Sequence, residues 1–174
     1  MSEPTIPETT TTTTPSPRYT ITPSLPTPQQ YHDLRRDTGM TPPPLPAVPH
    51  ALAKSIHCIL AHDTHHDPST SPNDPMSNVV GMARLIGDGS LFLQIVDVCV
   101  LPAHQGRGLG SRMMQMLVEW VDAHAPEAYV SLIGHVNAAK FVYPKYGFLP
   151  VVPSVGMYRC ERVRRRREVV GENP

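Results

Sequence analysis

The chain carries little charge and no excess of either sign. Only 17 % of its 174 residues are Asp, Glu, Lys or Arg, and 15 basic residues balance 15 acidic ones. Proteins that bind nucleic acid or a membrane through their whole surface are usually strongly basic, so neither partner is expected here. The positive charge is uneven, however, because the last sixteen residues hold six arginines against three acids.

Cysteine and long apolar runs are also scarce. The three cysteines, Cys58, Cys99 and Cys160, are widely spaced and form no C-x-x-C pair, which excludes a disulfide framework and a zinc ribbon. No apolar run approaches the roughly 20 residues of a membrane-spanning helix, and the N-terminus lacks the basic and apolar parts of a signal peptide. We therefore expect a cytoplasmic protein, which the arginine-rich end could also admit to the nucleus.

Proline, in contrast, is abundant and divides the chain. Twelve of the 21 prolines fall in the first 49 residues. Residues 1–17 are rich in Thr and Pro and hold a single Ile, too little apolar surface to offset the entropy of ordering them. We predict a disordered arm over 1–17, one domain over 18–160 and a flexible arginine-rich tail over 161–174.

Within the domain, strand and helix patterns alternate. Helices are predicted over Pro28–Asp37, with Thr27 as N-cap, and over Leu109–His124, where apolar residues recur every three or four positions. The prolines of Thr41–Pro49 predict an extended loop. Further elements are a short helix over 137–143 and strands over 18–22, 55–60, 79–86, 91–101, 129–133 (buried) and 155–159. This order predicts a mixed sheet covered by helices.

A histidine-rich loop is a candidate for a metal-binding site. His62, His65 and His66 lie with Asp63 and Asp67 in a polar segment that also contains prolines. The segment offers no second pair of ligands at a defined spacing, so we expect a solvated loop and no metal site.

The most informative stretch runs from Ile95 to Ser111 and reads IVDVCVLPAHQGRGLGS. Gly106, Gly108 and Gly110 alternate at the start of the apolar-striped helix, where backbone N–H groups are unpaired and the helix dipole is positive. With the charge of Arg107, this arrangement favours phosphate or pyrophosphate. It is neither the dinucleotide motif G-x-G-x-x-G nor a Walker A loop, since no Gly-Lys-Ser/Thr follows.

Two motifs here resemble those of the GNAT superfamily of acetyl-CoA-dependent N-acetyltransferases. The first is Gln105-x-x-Gly108-x-Gly110 after Val-Leu-Pro, and the second is Tyr143-x-x-x-Gly147-Phe. The resemblance covers about residues 79–158. It implies an α/β fold with a mixed, mostly antiparallel sheet that splays at the cofactor site and is flanked by about four helices.

The resemblance also implies how acetyl-CoA is held. The backbone of Val98 and Val100 would pair with the pantetheine arm as an added strand, and the glycine-loop amides would hold the pyrophosphate. Asn137 would contact the pantetheine or thiol region, or else serve as a helix N-cap. The residues expected at the cofactor are Val98, Cys99, Val100, Gln105, Gly106, Arg107, Gly108, Leu109, Gly110, Ser111 and Asn137.

For the reaction itself, the resemblance assigns Tyr143 as the acid that protonates the leaving thiolate. The family's usual base positions are occupied by Gln94 and Val96, and neither side chain can act as a base. Asp97 is the carboxylate on this strand and resembles the acid of polyamine-type members. Asp97 is the second residue expected to be catalytic. It could pair with Arg84 of the neighbouring strand, face the substrate ammonium, or do both, and water-relayed deprotonation could use Asp97 or Glu119 as a distant sink. The residues expected near the acceptor are Gln94, Asp97, Arg84 and His135.

The resulting hypothesis is transfer of acetyl from acetyl-CoA to a primary amine of a small molecule. Cys58 and Cys99 do not lie in a His/Asp arrangement that would favour an acetyl-cysteine intermediate, so direct attack in a ternary complex is expected. Two alternatives remain, a non-catalytic acyl-CoA-binding module and acetylation of a protein or peptide amine. A homodimer is compatible with the family but is not indicated by the residues.

Overall fold

The computed structural model describes residues 17–65 and 78–160. The predicted arm, apart from Pro17, and the arginine-rich tail lie outside the described residues. So do His66, Asp67 and the rest of the histidine-rich loop as far as residue 77. The domain boundaries predicted at 17/18 and 160/161 therefore stay predictions.

Five strands form one mixed sheet, and their spatial order follows the sequence. Neighbouring strands are antiparallel except β4 and β5, which are parallel. The strands are β1 Tyr19–Pro23, β2 His57–Asp63, β3 Val79–Gly87, β4 Phe92–Val100 and β5 Tyr129–Leu132. The predicted mixed, mostly antiparallel sheet is confirmed, including the hairpin between β3 and β4.

Four α-helices among the described residues cover the two faces of the sheet, as predicted. They are α1 Pro28–Asp37, α2 Val48–Ala53, α3 Leu109–His124 and α4 Val136–Phe141, with short 3₁₀ turns at Leu45–Ala47, Pro102–His104 and Tyr143–Tyr146. α3 buries Met113, Met114 and Leu117 against one face of the sheet. Tyr31 and Leu34 of α1, with Val48 and Leu52 of α2, form a second core on the other face.

The start of α1 shows why the sequence prediction succeeded there. Thr27 accepts a hydrogen bond from the Gln30 backbone N–H, and the Gln30 side chain accepts one from the Thr27 backbone N–H. This capping box satisfies N–H groups that a helix start leaves unpaired, and Pro28 occupies a first-turn position that needs no N–H partner. The predicted bounds and the predicted N-cap are both confirmed.

The extended loop predicted over Thr41–Pro49 is wrong in its second half. Leu45–Ala47 forms a 3₁₀ turn and α2 begins at Val48. Proline breaks a helix when it lies inside it, but Pro46 and Pro49 occupy first turns, where their fixed backbone angle favours the helix.

The last two strand predictions also need correction. Residues 155–159 form no strand, and Val155 is 80 % exposed. Alternating apolar residues favour a strand, but a strand also requires a paired neighbour, which this segment does not have among the described residues. β5 exists, but it is not buried, because it is the last strand of the described sheet and Tyr129 is 59 % exposed.

Candidate active site

A gap opens between β4 and β5 where the two strands stop pairing. The parallel register runs from Phe92 opposite Tyr129 to Ile95 opposite Leu132, and β4 then continues to Val100 without a partner on that side in the described part of the chain. The Leu101 N–H still donates to Val80 of β3. Because backbone groups alternate along a strand, those of Val100 face the gap. The predicted splay of the sheet is therefore present.

The glycine-rich loop lies at the end of this gap. Gly106 and Gly108 have φ of 73° and 75°, in the left-handed region that favours glycine. Gly108 is the N-cap of α3 and no side chain caps the helix, so the first amide groups of α3 lack a side-chain partner. Apart from chain neighbours and the α3 backbone, no atom lies within 4 Å of where a Cβ would stand on Gly106, Gly108 or Gly110. The loop therefore leaves room for a ligand to approach the backbone closely, as the phosphate-site prediction requires.

A groove of about 450 Å³ connects the glycine loop with the gap. It contains every predicted cofactor residue except Arg107 and Asn137, and adds His104, Met114, Ala138, Val142 and Tyr143. The Gln105 side chain turns back to donate to the Val100 carbonyl over 2.9 Å. The Arg107 guanidinium lies 5.9 Å from the ring of Tyr19, on β1.

The start of α4 differs from the prediction. His135 is the N-cap, and its Nδ1 accepts from the Asn137 N–H over 3.3 Å. Asn137 is therefore inside the helix, and the alternative that made it an N-cap is wrong. Both side chains are exposed. Their cofactor and acceptor roles stay predictions.

Tyr143 shares the groove with the glycine loop and is only 8 % exposed. Burial raises the pKa of its hydroxyl above the usual value. The ring fills the space beside Gly134, where a Cβ would stand 2.2 Å from the Tyr143 Cε2 atom. Sequence reasoning missed Gly134, although a glycine just beyond a strand is a known signal of close approach by another group.

Asp97 lies in a buried cluster of polar side chains. Its Oδ2 accepts from Arg84 Nε and Tyr31 Oη, each over 2.9 Å, and its Oδ1 accepts from Arg35 Nη1. The predicted ion pair with Arg84 is confirmed. Tyr31 and Arg35 were missed, because they lie on α1, 66 and 62 residues away in the sequence.

Arg84 is fully engaged within the fold. Besides Asp97, it donates to the Ala51 carbonyl and the Ser55 hydroxyl, each over 3.1 Å, and to Tyr31 Oη over 3.3 Å. These contacts join β3 to α1 and to the end of α2. Arg84 therefore holds neighbouring elements of the protein together. Its predicted contact with the acceptor stays a prediction.

A β-bulge explains how Asp97 reaches α1. On β3, Met82 pairs with Cys99 and Arg84 with Val96, so Ala83 alone opposes both Asp97 and Val98. Asp97 has φ of 58°, which Asp adopts more readily than most residues with a Cβ. Ile95 packs with the core beneath α3, whereas Asp97, two residues later, faces α1 on the other side of the sheet. Gln94 lies before this point, between Ile86 and Ser131.

Cys58, Cys99 and His62 are the described residues that remain from the candidates for covalent or metal chemistry. Burial raises the pKa of Cys99 to about 12 and that of Cys58 to about 11, which keeps both as thiols. Over residues 17–65 and 78–160, no three His, Cys, Asp or Glu side chains are grouped as a metal site. His62 contacts Thr22 and Asn78 instead. Within those same ranges no helix is long and apolar enough to cross a membrane.

Comparison with known proteins decides the family. Residues 56–150, more than half of the chain, match the family model described as an acetyltransferase (GNAT) domain. The chain belongs to the GNAT acetyltransferase family. The family match includes the gap, the glycine loop and Tyr143, and it confirms the resemblance noted in the sequence.

Individual relatives place this GNAT chain among acetyltransferases. A "probable acetyltransferase" structure from meticillin-resistant Staphylococcus aureus is 33 % identical, with a TM-score of 0.70 over 82 % of this chain and 98 % of its own. The soybean (Glycine max) "Probable acetyltransferase TAP2" is 32 % identical over 82 residues, 47 % of this chain. This chain spans only 33 % of the soybean protein.

A solved GNAT complex shares the fold. The Escherichia coli GNAT-family protein YhbS, in complex with CoA, is 16 % identical and has a TM-score of 0.54 over 79 % of this chain and 72 % of its own.

Proposed function

We propose that the protein transfers an acetyl group from acetyl-CoA to a primary amine of a small molecule by direct attack in a ternary complex. One observation carries the proposal. The unpaired edge of β4, the glycine loop and the buried Tyr143 hydroxyl line one groove. A backbone edge could bind the pantetheine chain of acetyl-CoA, a phosphate site its pyrophosphate, and an acid could protonate its leaving sulfur.

The residues of the groove fit acetyl-CoA. The edge of β4 at Val98 and Val100, which no described strand pairs on the side of the gap, suits an extended amide chain that adds as a strand. The amides from Gly106 to Gly110, with the positive end of the α3 dipole, suit the pyrophosphate. Gln105 already satisfies the Val100 carbonyl. Phosphate binding is therefore assigned to the backbone amides and to the nearby charge of Arg107.

Tyr143 would act as the general acid. When bound, acetyl-CoA supplies a thioester whose carbonyl carbon bonds to the amine nitrogen while its C–S bond breaks. The raised pKa of Tyr143 keeps the hydroxyl protonated at neutral pH, so it can donate its proton to the departing sulfur. A free thiol has a pKa of about 8.5, below that of Tyr143, so this proton transfer is uphill on its own, and the proton that the amine releases restores the tyrosine hydroxyl.

The amine's own proton would leave through water. No Asp or Glu is among the described residues that line the groove, and the Asp97 carboxylate is occupied by Tyr31, Arg35 and Arg84. Direct attack is supported by the raised pKa values of Cys58 and Cys99, which make neither sulfur a ready nucleophile.

A small acceptor is supported by the loop between α1 and α2. Arg36 and the segment from Gly39 to Pro42 line a cavity of about 410 Å³. This volume lies within the range of small-molecule sites, roughly 300–1,000 Å³. Arg35 donates twice to the Thr41 carbonyl, which ties the loop to α1.

The decisive experiment measures thiol release from acetyl-CoA with a panel of small amines and one basic peptide. It compares the wild type with Tyr143→Phe, and calorimetry measures CoA binding to both. We expect turnover with a small amine, about a 100-fold lower kcat for Tyr143→Phe and unchanged CoA affinity. A wild type that binds CoA without turning over any amine supports the acyl-CoA-binding alternative. An unimpaired Tyr143→Phe between pH 7 and 9 would overturn the acid role.

A further inference from the structure

The cluster around Asp97 joins β4 to α1 and, through Arg35, to the loop between α1 and α2. We propose that Asp97 and Arg35 are positioning residues, which hold the bulge of β4 and the α1–α2 loop in one arrangement and so couple acceptor binding to cofactor binding. The part of this inference that concerns the acceptor rests on the proposed function. The part that concerns the cofactor requires only that the protein binds CoA.

The backbone of β4 is bent by the bulge at Asp97. Asp97 holds a left-handed conformation that its Cβ disfavours, at the point where β4 stops pairing with a neighbour on the side of the gap. The next residue, Val98, begins the edge that the cofactor would use. The direction in which this edge faces therefore depends on how firmly the bulge is held.

Buried contacts of the Asp97 side chain hold this bulge. The Asp97 side chain is 3 % exposed and that of Arg84 is 8 % exposed. Both carboxylate oxygens are bound, Oδ2 by Tyr31 and Arg84 and Oδ1 by Arg35. Charged hydrogen bonds in such buried surroundings are stronger than those at the surface. They fix the Asp97 side chain, and with it the left-handed backbone.

Arg35 binds the α1–α2 loop as well as Asp97. Its Nη1 binds Asp97, while Nε and Nη2 donate to the Thr41 carbonyl over 3.1 and 3.0 Å. One planar guanidinium thus connects β4 to the loop that lines the cavity proposed above for the acceptor. A shift of the loop on acceptor binding must move Arg35, and a shift of Arg35 acts on the bulge.

Two other roles for the cluster predict different behaviour. If it only fastens α1 to the sheet, its loss lowers the melting temperature without changing ligand binding by the folded protein. If Asp97 instead faces the acceptor amine, its loss raises KM for the amine alone. Coupling predicts that CoA affinity and KM for the amine change together.

The test compares Arg35→Met with Lys54→Met. Lys54 is an exposed cation that follows α2 on the same side of the sheet, outside the cluster, so this control removes one positive charge from the same layer. Calorimetry measures Kd for CoA with and without a saturating acceptor. Steady-state kinetics give kcat and KM. All measurements are made at a temperature where circular dichroism shows each variant folded.

We expect Arg35→Met to weaken CoA binding about 5- to 30-fold, to raise KM for the amine by a similar factor, and to abolish the acceptor's effect on Kd for CoA. Lys54→Met should match the wild type in all three. Wild-type Kd for CoA in folded Arg35→Met would overturn the proposal, and so would a change confined to KM for the amine.

Two further variants keep the test decisive if Arg35→Met does not fold. Arg35→Lys keeps the charge beside Asp97 but not the planar fork, so it should retain most CoA affinity and lose the acceptor's effect on it. Asp97→Gly accepts the left-handed backbone without strain but removes the carboxylate. If Asp97→Gly binds CoA as the wild type does, the contacts of Asp97 do not position the strand. If no amine is turned over, the Kd measurements for CoA still decide the part that concerns the cofactor.

Discussion

At the scale of single residues, Tyr143 owes its position to a neighbour without a side chain. Its ring occupies the space beside Gly134, where a Cβ would stand 2.2 Å from Cε2 and 3.1 Å from Cζ. Contacts this short cannot be absorbed without moving the ring or the loop after β5. The placement of the Tyr143 ring therefore depends on both the second motif and a glycine nine residues before it.

Gly134→Ala should consequently reproduce much of the Tyr143→Phe defect. A displacement of the acid by about 1 Å is expected to lower kcat about 100-fold, while CoA affinity stays near the wild-type value. Gly156→Ala is the matched control, because no atom lies within 4 Å of its added methyl group. The measurement is kcat for acetyl transfer alongside calorimetric Kd for CoA. A wild-type kcat in Gly134→Ala would show that the ring position is not critical.

The residues around Asp97 mark what the sequence could not show. The ion pair with Arg84 was predictable because both residues lie on a hairpin whose register follows from a short turn. Tyr31 and Arg35 were not, since no periodicity links them to a strand more than 60 residues away. The bulge was also invisible, because an Asp with positive φ leaves no mark on the alternation of neighbouring apolar residues.

At the scale of elements, the start of α3 combines two glycines with different tasks. Gly108 is the N-cap and has φ of 75°, whereas Gly110 lies within the helix. Neither would bring a new methyl group within 4 Å of another atom. Their substitutions therefore differ in backbone conformation alone.

We expect Gly108→Ala to destabilise the fold by about 1 kcal/mol, since a Cβ penalises the left-handed region. Gly110→Ala should stabilise the fold by up to about 1 kcal/mol, because alanine has a higher helix propensity than glycine. Chemical denaturation of each variant gives the free energy of unfolding. Equal effects of the two substitutions would contradict the assignment of Gly108 as a left-handed cap.

Elements with strong local signals were predictable, and those that depend on pairing were not. The bounds of α1 and α3 followed from a capping residue and an apolar stripe. The start of α2 was missed because Pro49 lies in its first turn, where a proline does not disrupt a helix. The strand predicted over residues 155–159 is absent because alternation alone cannot supply a neighbouring strand.

At the scale of the whole molecule, the zero net charge is consistent with the chemistry of the site. The groove presents backbone amides and one helix dipole, so it needs no basic surface to bind a phosphate. Some charged side chains form ion pairs within the fold. Asp97 pairs with Arg35 of α1 and Arg84 of β3, and Asp63 of β2 pairs with Arg18, which precedes β1.

A stack of three rings gives this fold a dependence on pH. His57 of β2 lies 5.3 Å from the ring of Trp120, and Trp120 lies 4.5 Å from the ring of His124, all nearly parallel. Burial, and then the charge of His124, lower the pKa of His57 below 6.5. The unfolded chain therefore binds a proton at His57 before the folded protein does, and stability falls as pH decreases through 6.5.

His57→Gln should remove this part of the acid sensitivity. Between pH 7.5 and 5.5, we expect the melting temperature of the wild type to fall more steeply than that of His57→Gln. Asp63, whose pKa the hydrogen bonds from Arg18 hold below its usual value, stays ionised over this range in both proteins. His50→Gln, an exposed histidine of α2, is the control and should follow the wild type. Parallel melting curves against pH for wild type and His57→Gln would contradict a linked proton at this stack.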